Sequence, residues 1–294
     1  MTDQLDCSAV ATLAGLNSEQ LKELSGVAIE AAQKGGGKLM EHFGTLTSIR
    51  EKGRSGDLVT TADHAAEAEV LNILSRSTPD IAVLAEESGA SVHQSDLCWC
   101  VDPLDGTTNF AHSFPLFATS IGLVWRDRPV LGAISVPFLK ELYWCCPGKG
   151  SFLNNKAINV SDCSSLADSL LVTGFAYDRR EVVDNNYAEF AWMTHRTRGV
   201  RRGGAAAVDL AFVASGRLDG YWERGLAPWD LAAGAALVQL AGGTVGDYRG
   251  NGFNLGSGRI LATGPALHTA LQQELGKVTS LPPRLYEGTQ NVGS

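Results

Sequence analysis

The chain reads as a layered α/β protein, an α+β half followed by an α/β half, and three features predict this. Helical periodicity dominates the first 75 or so residues. Short apolar strands, punctuated by Gly, Pro and charged turns, then run from about residue 81 to 145. From about residue 165, strands alternate with helical stretches. At 294 residues the chain is long enough for one large domain, or two tightly joined halves, with a sizeable core.

Taken in order, Leu21, Leu24, Ala28, Ala31, Gly35, Leu39 and Phe43 recur at three- and four-residue spacing. They predict an amphipathic helix capped by Asn17 or Ser18 and stopped at Gly44. Gly35-Gly36-Gly37 should weaken it. A second helix is expected after Thr61, reaching about Leu74. Strands are expected at Ile81–Leu84, Leu97–Val101, Thr119–Trp125, Val130–Val136 and Glu141–Cys145, in an antiparallel or mixed sheet up to about residue 160. In the second half, strands Leu170–Thr173, Asp219–Glu223 and Arg259–Thr263 alternate with helical stretches near 184–197, 205–215, 228–241 and 265–276. A single catalytic domain over 20–278 follows. The tail 279–294, with Pro282-Pro283 and few apolar residues, is expected to be loosely ordered.

Composition narrows the function classes. Hydrophobic residues are 44% and charged residues 19%, as in ordinary soluble proteins, and no apolar run is long enough to cross a bilayer. The net charge of −8 and the lack of a long basic run argue against nucleic acid as a partner. Arg179-Arg180 and Arg201-Arg202 are expected to be solvated surface charge, although Arg201-Arg202, directly before Gly203-Gly204, could approach a substrate pocket. The six cysteines form no C-x-x-C pair and read as reduced thiols, mostly buried in strands. The first residues resemble neither a signal peptide nor a transit peptide, so the expected compartment is the cytoplasm.

Carboxylates carry the chemistry. In Trp99-Cys100-Val101-Asp102-Pro103-Leu104-Asp105-Gly106-Thr107-Thr108, an apolar strand runs into two aspartates, and Pro103 is expected to turn the chain so that both converge. Gly106 permits close approach of a ligand, with the next amides able to face an anion. Alone, the pattern D-x-x-D-G fits a capped turn equally well. Its company argues otherwise. Glu86-Glu87 ends another strand, Asp230 opens a helix behind Pro228-Trp229, and Asp63 sits in the first turn of a helix. Acidic groups so placed cannot gather without a cation. Oxygen ligands without Cys or His favour Mg²⁺ or Mn²⁺, and hence metal-assisted phosphoryl hydrolysis.

These residues resemble the signature of the inositol monophosphatase family. The matching blocks are Glu86-Glu87-Ser88, Asp102 to Phe110, and Trp229-Asp230-Leu231-Ala232-Ala233-Gly234. Their flanks are Lys52, Asp57 to Thr60, Asp63, Arg201 to Asp209 and Ala241-Gly242-Gly243. The resemblance spans roughly 20–278. It implies an αβαβα sandwich, commonly a homodimer, and Mg²⁺ held by Glu86, Asp102, the Leu104 carbonyl, Asp105 and Asp230. It also implies that Thr107, hydrogen-bonded to Asp63 and helped by Glu86, activates water. Gly106 and Thr107 would cradle phosphate with the Thr108 amide nearby, while Asp105, Gly204, Ala206, Glu223 and Asp230 border the substrate. Lithium sensitivity is implied as well.

The expected substrate is a small phosphorylated polyol, foremost inositol 1-phosphate. Histidinol phosphate, fructose 1,6-bisphosphate and 3′-phosphoadenosine nucleotides remain alternatives within the same chemistry, and a partner-binding regulatory protein is the alternative outside it. Animal members carry histidine where this chain has Ala227, and a serine pair in place of Tyr177-Asp178, so the chain looks closer to bacterial and plastid-type members. His112 is expected to pack behind the metal loop, the other histidines to lie on the surface or on helix faces, and the six tryptophans to be mostly core, with Trp229 buttressing Asp230.

Overall fold

A computed structural model describes residues 6–45, 49–51, 58–91 and 95–281. Lys52, Asp57 and His93, and the tail beyond Leu281, lie outside the described residues. The first half comprises α1 (Cys7–Leu13), α2 (Ser18–His42), the ribbon β1 (Ile49–Glu51) and β2 (Leu58–Thr60), and α3 (Thr61–Ser77). Strands β3 (Ala82–Ala85), β4 (Gly89–Ala90) and β5 (Leu97–Asp105) follow, then the short helix α4 (Thr107–Ala111). The half closes with β6 (Ala118–Trp125), β7 (Arg128–Val136), β8 (Glu141–Cys146), β9 (Gly150–Leu153) and β10 (Lys156–Ile158). The second half comprises β11 (Leu170–Thr173), α5 (Tyr187–Thr194), β12 (Gly199–Arg201), α6 (Ala206–Ala214) and β13 (Gly220–Arg224). It ends with α7 (Pro228–Leu240), β14 (Thr244–Gly246), β15 (Arg259–Thr263) and α8 (Pro265–Gly276).

The larger sheet has the order β10-β9-β8-β7-β6-β5-β3-β4. It is mixed, because β3 pairs parallel with β5 while the other ladders are antiparallel. The smaller sheet, β12-β11-β13-β15-β14, is parallel on one side of β13 and antiparallel on the other. Helices α2 and α3 cover one face of the larger sheet. Helices α6 and α7 lie between the sheets, and α5 and α8 cover the outside of the smaller one. This is the αβαβα sandwich. Each interlayer space has its own apolar cluster: Ile73, Trp99 and Leu131 beneath α2 and α3; Leu210, Leu231 and Tyr221 between the sheets; Trp222, Leu261 and Leu271 beneath α8.

The glycines of α2 do not break it. Asn17 and Gln20 form a capping box at its start. A Cβ on Gly35 would sit 2.7 Å from Thr119 Cγ2, and one on Gly36 would sit 2.6 Å from Ser135 Oγ. The helix tolerates poor propensity because these glycines let it lie close against the sheet. Gly122 and Gly132 do the same on the other face, where a Cβ on either would strike Ala233 or its neighbour at 2.6 Å. Helix α7 therefore lies flat on β6 and β7, and its first turn is carried toward the end of β5.

Several expectations are corrected. Pro103 does not turn the chain out of the strand. β5 continues to Asp105, and the pairs Asp102↔Ser120 and Asp105↔Ala118 set three residue steps against two. The extra residue is a β-bulge, which accommodates a proline that cannot donate to the ladder. Only Trp99 and Trp222 are fully buried among the tryptophans. The other four are half-buried and pack against the apolar clusters, so the core expectation stands in that weaker form; the indole N–H groups of Trp144 and Trp192 donate to the Asn154 carbonyl and to Glu274. His112 is exposed at the end of α4 rather than packed behind it. The helical stretch near 184–197 shrinks to Tyr187–Thr194, because Asn186 takes a left-handed φ of 68°. The six thiols are free, four of them buried. Among the described residues, no helix is long and apolar enough to cross a membrane.

Candidate active site

One cavity of about 580 Å³ opens where the two sheets and α7 meet. Of the residues the sequence singled out, it brings together Glu86, Asp102, Leu104, Asp105, Gly106, Thr107, Thr108, Gly204, Ala206, Glu223 and Asp230. Asp63 is not on its surface; it lies fully buried behind Thr107.

Three elements, the end of β3, the end of β5 and the start of α7, deliver the four floor carboxylates. The Glu86 amide donates to the Val101 carbonyl at 3.1 Å, which extends the β3–β5 pairing by one residue and sets Glu86 beside Asp102. Within the bulge, Asp102 Oδ1 accepts the Leu104 amide at 3.0 Å, and this fixes its rotamer. Asp105 reaches across to the second half, where its two oxygens accept the amides of Ala206 (3.0 Å), Ala207 (2.8 Å) and Val208 (3.4 Å). It thereby caps α6, whose preceding residue Ala205 has no capping side chain. Asp230, behind Pro228 at the helix start, accepts the Ala227 amide at 2.7 Å in the first turn of α7.

Beside this floor, Gly106 adopts φ 87° and opens α4 with no side-chain cap on its first amides. Only glycine takes this conformation readily. A Cβ there would also stand 3.0 Å from the Leu116 carbonyl. The Thr107 hydroxyl donates to the Leu104 carbonyl at 3.0 Å and stands 3.5 Å from Asp63 Oδ1. Asp63 itself accepts both the amide (2.8 Å) and the hydroxyl (2.6 Å) of Thr60, as the N3 partner of a capping box.

The electrostatics record how crowded these acids are. Desolvation, then the charges of Glu86, Asp105 and Asp230, push the Asp102 carboxyl well above its ordinary value. Desolvation raises Asp230 to about 8, reinforced by Glu86 and Asp105, and raises Asp105 to about 7 against the pull of its three amides. Asp63 is pushed up to about 6 by burial, offset by Thr60. Every cause named for Asp102 is relieved by a cation. The donors are hard oxygens, which suits Mg²⁺. Among the described residues, no three or more His, Cys, Asp or Glu stand grouped so that they could hold a metal ion by themselves. The acids ring the cavity, an arrangement compatible with an ion that keeps waters and shares its ligands with a phosphate.

The far wall is of a different kind. Glu223 Oε2 accepts the Tyr221 hydroxyl at 2.6 Å, and burial raises its carboxyl to about 7. Gly174 makes room for it, since a Cβ there would lie 2.1 Å from Glu223 Oε2. Phe175, Ala176, Tyr177, Leu226, Ala227 and Trp229 complete the wall, together with Arg179 and Arg202. One cation of each Arg-Arg pair borders the cavity: Arg179 corrects the expectation of plain surface charge, and Arg202 makes the approach to the pocket that the sequence left open. The available signal was the position of Arg202 directly before Gly203-Gly204. Arg179 had no such signal, because its loop has no regular element to place it.

Comparison with known proteins gives this geometry its relatives. Residues 20–280 match the inositol monophosphatase family. An inositol-1-monophosphatase of Synechocystis sp. is 53% identical over 251 residues, which cover 85% of this chain and 87% of the relative. A protein of Aquifex aeolicus named fructose-1,6-bisphosphatase/inositol-1-monophosphatase is 38% identical over 87% of this chain and 96% of its own length. Among solved structures, the inositol monophosphatase from Anabaena (Nostoc) sp. superposes with a TM-score of 0.81 at 47% identity, covering 90% of this chain and 98% of the other. The chain belongs to the inositol monophosphatase family and is a phosphomonoester hydrolase.

Proposed function

We propose that this chain hydrolyses the phosphomonoester of a small polyol, with inositol 1-phosphate as the preferred substrate. In this reading, Glu86, Asp102, the Leu104 carbonyl, Asp105 and Asp230 hold Mg²⁺. The observation that carries it is the convergence of four carboxylates, from three separate elements, on one cavity beside the uncapped amides of Gly106–Thr108. Mg²⁺ supplies a Lewis acid that lowers the pKa of water and offsets the charge of the phosphate. The chain's own groups do the positioning. The backbone at Gly106, Thr107 and Thr108 receives the phosphate oxygens. The Thr107 hydroxyl, between the Leu104 carbonyl and Asp63, orients the attacking water together with Glu86. Asp63, raised to about 6 and so largely ionised at neutral pH, is poised to take up a proton through Thr107. Glu223, Asp105 and the backbone at Gly204 and Ala206 meet the hydroxyls of the polyol. From the family resemblance we also expect a homodimer and inhibition by Li⁺.

A bisphosphate is the second reading, because Arg179 and Arg202 border the same cavity and would meet a second anion. The relative from Aquifex aeolicus carries both activities in its name. Comparison of kcat/KM for inositol 1-phosphate, fructose 1,6-bisphosphate, histidinol phosphate and a 3′-phosphoadenosine nucleotide decides between them. Inositol 1-phosphate is expected to rank first. If fructose 1,6-bisphosphate ranks first and Arg202→Ala removes that preference, the second reading replaces the first.

A further inference from the structure

The far wall contains one element whose position is not explained by its own packing. Residues 174–186, between β11 and α5, contribute Phe175, Ala176, Tyr177 and Arg179 to the cavity and have no regular structure over that stretch. Near the start of this segment, Phe175 rests on Tyr187 and Phe190, with ring centroids 5.3 and 5.6 Å away. At its other end, Asn186 donates to Thr173 Oγ1 and the Gly174 carbonyl, both at 2.7 Å, and accepts from the Trp222 indole at 2.7 Å. The middle of the segment carries Asp178, and both terminal nitrogens of Arg224 donate to its Oδ1, Nη1 at 2.8 Å.

Arg224 is only 7% exposed and follows Glu223 directly on β13. Successive residues of a strand point to opposite sides, so one strand end sends Glu223 into the cavity and Arg224 into the wall behind it. A buried guanidinium is costly without hydrogen-bond partners, and withdrawing the segment would strip Arg224 of Asp178, leaving it only the nearby charges of Glu189 and Glu223. The ion pair therefore ties the wall to the strand that carries Glu223, and their spacing is set by one guanidinium. Gly225 permits the approach: a Cβ there would lie 2.5 Å from the Ala176 Cβ.

We infer that Arg224 and Asp178 are positioning residues that set the selectivity of this site for a ring-sized polyol, by fixing the 175–179 wall against Glu223. Neither lines the cavity, so neither acts on the phosphate. The inference rests on the substrate reading above. It is tested with the double variant Asp178→Asn/Arg224→Met, which removes both charges and leaves neither unpaired, and with Arg224→Lys. Inositol 1-phosphate is compared with glycerol 2-phosphate, an acyclic ester too small to need the wall, and tryptic cleavage after Arg179 and Arg180 reports on the segment itself.

The double variant is expected to raise KM for inositol 1-phosphate roughly tenfold. Its kcat, and both constants for glycerol 2-phosphate, should stay within about twofold. Cleavage at Arg179 and Arg180 should quicken severalfold, and Arg224→Lys should fall between the double variant and wild type in both readouts. An unchanged KM for inositol 1-phosphate overturns the inference. So does an equal loss of kcat on both substrates, which would mark a merely structural pair. If the wild type turns over glycerol 2-phosphate but not inositol 1-phosphate, the substrate reading fails instead. The tryptic comparison then decides the pinning, and unchanged cleavage overturns it.

Discussion

The two sides of the cavity are built differently. Every floor acid sits at the end, or in the first turn, of a regular element. Glu86 follows β3, Asp102 and Asp105 close β5, and Asp230 opens α7. Each of the three aspartates accepts at least one backbone amide that fixes its direction. The far wall is mostly loop: residues 174–179, 202–205 and 225–227 have no regular structure, and side chains hold the first of these stretches in place. The acids stand on rigid elements, whereas the wall, Glu223 on β13 and Trp229 on α7 excepted, stands on loops, the part of a fold that most readily varies. Changes to the floor should therefore act on kcat, and changes to the wall on KM.

The floor should show the largest effect. Asp102→Asn and Asp230→Asn are each expected to lower kcat by roughly 10²–10³-fold, because each removes charge that stabilises the transition state. The melting temperature should hold or rise, since both acids are crowded by like charge. Near-normal turnover of either variant at saturating Mg²⁺ would contradict the assignment.

A smaller effect is expected at the turn that joins the floor to the proposed phosphate cradle. Gly106→Ala imposes a left-handed φ on a residue with a Cβ, at about 1–2 kcal/mol. The new Cβ would also meet the Leu116 carbonyl at 3.0 Å and the Ala205 Cβ at 3.1 Å. Urea unfolding should show the loss of stability, and turnover should fall with it. A variant as stable as wild type would mean that this turn relaxes at no cost.

The smallest effect is a pH dependence to which the floor contributes most, with Glu223 and Asp63 adding in the same direction. In the folded chain without metal, Asp105 and Asp230 titrate near 7 and 8, against about 3.9 for an unfolded aspartate. Between about pH 4 and 8 the folded state therefore holds protons that the unfolded state has released, and their contribution to stability falls as pH rises. With chelator present, the chain should melt at a higher temperature at pH 5 than at pH 8. Added Mg²⁺ should raise the melting temperature more at pH 8, where it does not compete with protons. A larger Mg²⁺ effect at pH 5 would contradict the crowded-acid description.

The same contrast explains what could be read from the sequence. The floor was legible because its acids sit where apolar runs stop: Leu97 to Val101 announces a strand, so Asp102 and Asp105 are located by counting. Helix α2 was legible from its period and its Asn17 cap, although Gly35 and Gly36 looked like liabilities; their purpose lies in Thr119 and Ser135, far away in sequence. The bulge at Pro103 was not legible, since a proline after a strand reads as a turn and only the register against β6 shows otherwise. Helix α1 and strands β9, β10, β12 and β14 are short, with too few residues to establish a period. Arg179 and Asp178 were opaque for another reason. Their neighbours in space, Arg224 and Ala176 among them, are set by tertiary packing of a loop, and loop sequence carries no periodicity to place them.

Phosphate release from inositol 1-phosphate, measured with the chain in excess chelator and then with Mg²⁺, Ca²⁺ or Zn²⁺ restored, tests the central claim most directly. The claim is that the carboxylate floor works through a small hard cation. Release should be absent in chelator and return with Mg²⁺ more fully than with Ca²⁺, which prefers a larger and looser shell, or with Zn²⁺, which prefers nitrogen and sulfur. Full turnover in chelator would contradict it.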